Sequence, residues 1–241
     1  MPGDSALELR IDAKTFAVPG RVPHAVLCDV AFTAVPGEIL ALLGRSGSGK
    51  STVLRIALGL DRDFIGRVRM PPGRVGVVFQ EPRLLPWLTL TENLRLVVTD
   101  GVPAPDIGDL FDTVGLPGIA DRLPSELSLG MARRVALARA LAVDPDTLVL
   151  DEPFASLDRR LGADLAARVA DRARRGRAIV LLATHELDHA LAIADRILVL
   201  SGHPATLAAN EAVPDRAADP GGVDALRDTL LERFAFLGTD A

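Results

Sequence analysis

The alternation of apolar and polar positions divides the chain into short runs of two kinds. Residues 7–12 and 26–35 alternate partly with a period of two, as half-buried strands do, and Val35-Pro36-Gly37 turns the chain after the second run. "EILALL" at 38–43 is apolar after its first residue, which suits a strand buried on both faces. A glycine-rich loop follows, then a helical periodicity over about 50–60. "RVRM" at 67–70 and "VGVVF" at 75–79 read as short strands. From 82 to 142 turn signals at Pro86, Pro103, Pro105, Pro117 and Pro124 separate amphipathic helices at about 91–98, 106–115 and 130–142. Strand–helix alternation then resumes: "TLVLDEP" as a strand, 158–174 as a helix, "AIVLLAT" as a strand, 186–195 as a helix and "RILVLS" as a strand. Residues 222–236 read as one amphipathic helix.

This order implies a parallel sheet with right-handed crossovers. The expected fold is α/β: a mostly parallel core formed by 1–81 and 143–209, with an antiparallel N-terminal β subdomain, a helical subdomain inserted at 82–142 and a helical tail at 210–241.

Composition narrows the function more than the fold. Of 241 residues 49% are hydrophobic, enough for a sizeable core, and the net charge of −5 disfavours nucleic acid as the main partner. Cys28 is the only cysteine, so no disulfide forms within the chain and a reducing compartment fits. The first ten residues lack the apolar centre of a signal peptide. No uncharged apolar run reaches the roughly 18 residues of a membrane span. A soluble chain is expected, with any membrane role requiring a partner that spans. The only lysines are Lys14 and Lys50, which makes the position of each informative.

Lys50 stands in "GRSGSGKST", residues Gly44, Arg45, Ser46, Gly47, Ser48, Gly49, Lys50, Ser51 and Thr52, which matches G-x-x-x-x-G-K-[ST] between a buried strand and a helix. Glycines let backbone N–H groups close around phosphate oxygens, and the helix N-terminus adds partial positive charge. Lys50 is placed to reach β- and γ-phosphates and Ser51 to ligate Mg²⁺. In "LVLDEP", Asp151 suits the Mg²⁺ shell and Glu152 is placed to polarise an attacking water. A nucleoside-triphosphate hydrolase follows from the pair.

Further motifs occur in a fixed order: "VVFQEPRLLPW" (77–87), "LSLGMARRVALARAL" (127–141), "SLD" (156–158) and His185 after "AIVLLAT". Together with the two above they resemble the ATP-binding subunits of ABC transporters over about residues 7–205. The resemblance implies a homodimer with two ATP molecules sandwiched between the copies. It implies that Gln80 contacts Mg²⁺ or the attacking water, that Ser128 and Gly130 touch the γ-phosphate bound to the other copy, that Asp158 crosses the interface, and that His185 links the γ-phosphate to Glu152. It also implies that an aromatic residue ahead of the glycine-rich loop stacks on adenine, for which "AKTF" offers Phe16. "FQEPRLLPW" is similar to the ATPases of nitrate-, sulfonate- and taurine-type importers. That likeness implies a separate membrane permease docking near Gln80–Trp87, with Trp87, Leu84 and Leu85 exposed, and indirectly a solute-binding protein. It also implies a peripheral place on the cytoplasmic face of the cell membrane.

Two features depart from the family pattern. Leu129 stands where a glycine is usual: its side chain would either take space and give a weakened or slower composite site, or, helical and pointing aside, leave hydrolysis intact. The stretch from Leu60 to Val77 is short, implying a trimmed β-subdomain edge. A rival reading rests on His185-Glu186-Leu187-Asp188-His189, which fits the zinc-peptidase pattern H-E-x-x-H. That chemistry needs both histidines on one helix face, whereas His185 directly follows a strand and His189 is expected to face solvent. Two further classes share the nucleotide motifs: a non-transport ABC ATPase, and a nucleotide-binding regulatory subunit without turnover.

Overall fold

The computed structural model describes residues 5–238 apart from 18, 21, 99–104 and 156. Pro103 and Ser156 therefore lie outside the described residues. In chain order the elements are β1 (Leu7–Phe16), β2 (His24–Ala34), β3 (Ile39–Leu43), α1 (Lys50–Ala57), β4 (Ile65–Arg69), β5 (Val75–Val78), α2 (Leu90–Arg95) and α3 (Ile107–Thr113). They continue with α4 (Leu129–Ala142), β6 (Thr147–Asp151), α5 (Arg159–Gly176), β7 (Ile179–Thr184), α6 (Leu187–Ile193), β8 (Arg196–Gly202), β9 (Ala205–Ala212) and α7 (Pro220–Arg233). Two compact units result: Met1–Pro72 with Leu181–Ala241, and Gly73–Val180.

In the first unit β1 runs antiparallel to β2, from Leu7 opposite Ala34 to Phe16 opposite His24, and antiparallel to β4 on its other side. The alternation read over 7–12 appears as alternating burial of Leu7, Leu9 and Ile11. β3 is buried at all five positions and pairs in parallel with β8, as a strand covered on both faces does. Its start is fixed by Asp195: the Ile39 N–H donates to the Asp195 carboxylate at 2.8 Å, and the Asp195 N–H donates to Ile39 O at 2.8 Å. This pinning sets the height at which the glycine loop leaves the other end of β3.

β9 has no counterpart in the hydrophobic pattern. "ATLAANEA" is rich in residues of low strand propensity. It becomes a strand because β8 turns back on it in an antiparallel hairpin, and Ala205 also pairs in parallel with Leu27 of β2. Beyond it, Arg216 donates to Leu191 O at 2.7 Å and to Ala194 O, closing the C-terminal end of α6. α7 packs on α6, and Arg227 of α7 pairs with Asp188 at 2.8 Å. This corrects the expectation for His189. It is 6% exposed, with Nδ1 2.8 Å from the Glu186 carboxylate, because α6 is short and covered by neighbours on more than one side.

In the second unit β5 and β6 are parallel, and α4 crosses β5 closely. Gly76 permits that approach: a Cβ there would lie 2.3 Å from Ala140 O. The helices start where side-chain oxygens accept first-turn N–H groups: Thr89 for α2, Asp106 for α3, Ser128 for α4 and Asp158 for α5. Thr89 and Glu92 form a reciprocal capping box, and the Thr89 N–H holds the Glu92 carboxyl below the usual carboxylate range.

Lys14 is buried inside the first unit, its Nζ 2.9 Å from the Asp61 carboxylate and 4.5 Å from the centre of the Phe16 ring. It ties the end of β1 to the segment after α1. Lys14→Met leaves the mostly buried Asp61 without its cation and is expected to lower unfolding free energy by about 3 kcal/mol, read from the denaturant midpoint.

Candidate functional site

The loop from Gly44 to Gly49 joins the C-terminal end of β3 to the N-terminus of α1. Ser48 N–H donates to Arg45 O at 3.0 Å, which closes a tight turn. Gly49 has φ 94°, and a Cβ there would lie 2.7 Å from Leu27 Cδ2 on β2. Only glycine satisfies both the left-handed backbone and the close approach to β2. α1 then begins at Lys50, so its first-turn N–H groups stand outside the helix's own i→i−4 ladder. The Lys50 ammonium is buried and donates to Gly44 O at 2.7 Å and Arg45 O at 3.3 Å, so it lies within the curve of its own loop. His203 and Phe236, which the sequence motifs do not single out, line a cleft of about 190 Å³ with Arg45, Ser46, Gly47 and Ser48. Their approach depends on the β8–β9 hairpin and the turn after α7, neither of which has a local motif.

The same unit holds Phe16 and His185. Phe16 ends β1 and is 42% exposed, which leaves aromatic surface for stacking. His185 follows β7 and precedes α6, where the Glu186 N–H donates to Thr184 Oγ1 at 3.1 Å. It is not helical, so His185 and His189 do not share the one-turn spacing that zinc in an H-E-x-x-H helix requires.

The second unit holds the acids and the helix starts. Asp151 is the last residue of β6 and is buried. Glu152, next in the chain, has φ 50°, a left-handed backbone unusual outside glycine. Such a conformation costs on the order of 1–3 kcal/mol and persists where surrounding structure imposes it, commonly at functional sites. It turns the chain sharply as the strand ends. Ser128 caps α4, its Oγ accepting from Met131 N at 3.3 Å, and Asp158 caps α5, accepting from Leu161 N at 2.9 Å. Both capping residues are exposed. Leu129 occupies the first helical position of α4 and is 57% exposed, so its side chain points to solvent.

Gln80 is exposed just beyond β5 and opens the segment to Thr89. Asn93 is fully buried beneath that segment. Its Oδ1 accepts from Leu85 N at 2.8 Å, and its Nδ2 donates to Leu85 O, Leu88 O and Thr89 O at 3.0–3.1 Å. Trp87 stands out from it, 72% exposed. Leu84 and Leu85, expected to be exposed, are both half-buried, Leu85 being held through its backbone by Asn93.

Known proteins resemble this chain over most of its length. The ABC transporter family profile matches residues 27–155. The chain is 44% identical over 201 residues to an aliphatic sulfonates import ATP-binding protein of Pseudomonas syringae pv. tomato, covering 83% of this chain and 84% of that protein. It is 40% identical over 240 residues to a protein of the same description from Burkholderia lata, covering 95% and 86%. Among solved structures, the ATP-binding cassette MJ0796, a dimer in a post-hydrolysis state bound to ADP and Pi, superposes with a TM-score of 0.78 at 26% identity, covering 87% of this chain and 99% of that one.

The chain belongs to the ABC transporter family. As an ABC cassette it binds ATP and hydrolyses it. Among the described residues no helix is long and apolar enough to cross a membrane. Within the Gly44–Gly49 loop, Gly49 combines a left-handed backbone with a crowded Cβ position. Gly49→Ala is expected to weaken ATP binding at least about tenfold, measured by titration with a fluorescent ATP analogue, because strain and the contact with Leu27 both displace the loop.

Proposed function

We propose that this chain is the ATP-hydrolysing subunit of an importer, working as a homodimer beneath a separate membrane permease on the cytoplasmic face of the membrane. The observation that carries this reading is the likeness, over most of both chains, to import ATP-binding proteins. Those relatives are described as importing aliphatic sulfonates, and a small organic sulfonate is the cargo class this chain serves, delivered to the permease by a solute-binding protein.

The site residues divide the work. Loop N–H groups from Arg45 to Thr52 and the Lys50 ammonium hold the phosphates, and Phe16 stacks on adenine. Ser51, Gln80 and Asp151 supply a hydroxyl, an amide and a carboxylate, the hard oxygen donors that suit Mg²⁺. Bound there, Mg²⁺ would neutralise charge on the β- and γ-phosphate oxygens. Glu152 takes the proton of the attacking water, and His185 holds the γ-phosphate in line with it. Ser128 and Gly130 of each copy meet the γ-phosphate held by the other, and Asp158 crosses the same interface. ATP binding closes the dimer, and hydrolysis reopens it. The exposed Trp87 loop receives the permease.

The exposed, helical Leu129 supports turnover rather than a silent nucleotide-binding role, since its backbone N–H is retained. Leu129→Gly is expected to change kcat by less than about twofold in a steady-state ATPase assay, a larger rise marking a site that leucine had slowed. Glu152→Gln is expected to keep ATP binding but lose at least about a hundredfold in turnover, and to accumulate as a dimer by light scattering with ATP and Mg²⁺. Turnover equal to wild type would remove Glu152 as the base.

A further inference from the structure

Helix α4 carries more than the serine at its start. Eleven residues beyond Ser128, about 16 Å along the helix axis, Arg139 turns away from the helix toward the segment that follows Gln80. Its Nη1 donates to Arg83 O at 2.8 Å and its Nη2 to Pro82 O at 2.9 Å. The two carbonyls belong to adjacent residues, and a guanidinium fork grips both at once where an ammonium, a point donor, does not do so with the same fixed geometry. Burial pushes the Arg139 guanidinium below its usual range, so the contact is held partly out of water.

The gripped segment is itself shaped for the purpose. Arg83 has a left-handed backbone, φ 49°, and its guanidinium lies 4.6 Å from the centre of the Phe79 ring. Downstream, Asn93 of α2 binds Leu85 and Leu88. Pro82 and Arg83 are thus fixed to α4, Leu85 and Leu88 are fixed to α2, and Trp87 projects from the stretch anchored at both ends. A second arginine of α4 reaches the segment after β6: Arg133 Nη1 donates to Ala155 O at 2.7 Å, three residues beyond Glu152.

We infer that Arg139 is a positioning residue that makes the Gln80–Trp87 loop and helix α4 move as one piece, so that displacement of the loop by a partner is delivered to Ser128. The inference rests on the proposed roles of that loop and of Ser128. A bond made only for stability would be replaceable here. The two carbonyls lie in a surface loop, so water takes them up once Arg139 is removed, and an unbranched apolar side chain fills the stem's space.

Trp87 is the only tryptophan in the chain, so its emission reports this loop alone. In Arg139→Met the fast, nanosecond component of Trp87 anisotropy decay is expected to about double in amplitude. In the assembled transporter kcat for ATP falls about tenfold, while KM for ATP stays within about twofold and the melting temperature is little changed. Arg139→Lys falls between the two. Wild-type anisotropy decay in Arg139→Met, or a loosened loop with wild-type kcat, overturns the inference. If Arg139→Met does not fold, Arg139→Lys carries the same comparison. A wild type without ATPase activity would count against the proposed function instead, and the anisotropy arm would still judge the clamp.

Discussion

A glycine-rich loop proposed to bind phosphate through its backbone has few side chains with which to hold itself still, so what lies beneath it must do much of the holding. Here that support is the contact between Gly49 and Leu27, which leaves no room for a single methyl group. The requirement propagates outward. β2 must stay at a fixed height against the loop, which its long register with β1 secures. β3 must deliver the loop at that height, which its pinning by Asp195 and its pairing with β8 secure. The antiparallel strands therefore belong to the proposed phosphate site as its support, although its chemistry lies elsewhere.

The second unit meets a different demand. Its candidate functional groups sit on helix starts and strand ends, where backbone polar groups need partners. Ser128 and Asp158 supply those partners as caps, and α4 supplies them through Arg133 and Arg139. The same side chains that satisfy loose backbone groups thereby fix the distances between segments far apart in the chain. The preference for arginine over lysine has a structural use at these positions at least, where a planar, always-charged fork does what lysine would do less well.

The fold was legible wherever burial was one-sided or complete. The buried β3, β6 and β7 and the periodic helices stand within a few residues of where hydrophobicity places them. β9 was not legible, because its strand character comes from its neighbours and not from its own residues. His189 differs from its expected place for a related reason: a helical wheel sees one helix, and α7, more than thirty residues later, covers α6. At the candidate site the motif positions were readable because glycine, lysine and acid spacings carry chemistry directly. Their local conformations were not. The left-handed backbone of Glu152, the inward-folded Lys50 and the grip of Arg139 are tertiary outcomes without a sequence pattern of their own.

Lys14 and Lys50 are the chain's only lysines, and both are buried, one toward the end of β1 and the other at the first position of α1. Amine-directed reagents therefore find almost no side-chain target on the native surface. A lysine-specific protease can cut after residue 50 only once the first turn of α1 has unwound. Its rate of cleavage would serve as a clock for local opening where the Gly44–Gly49 loop meets α1.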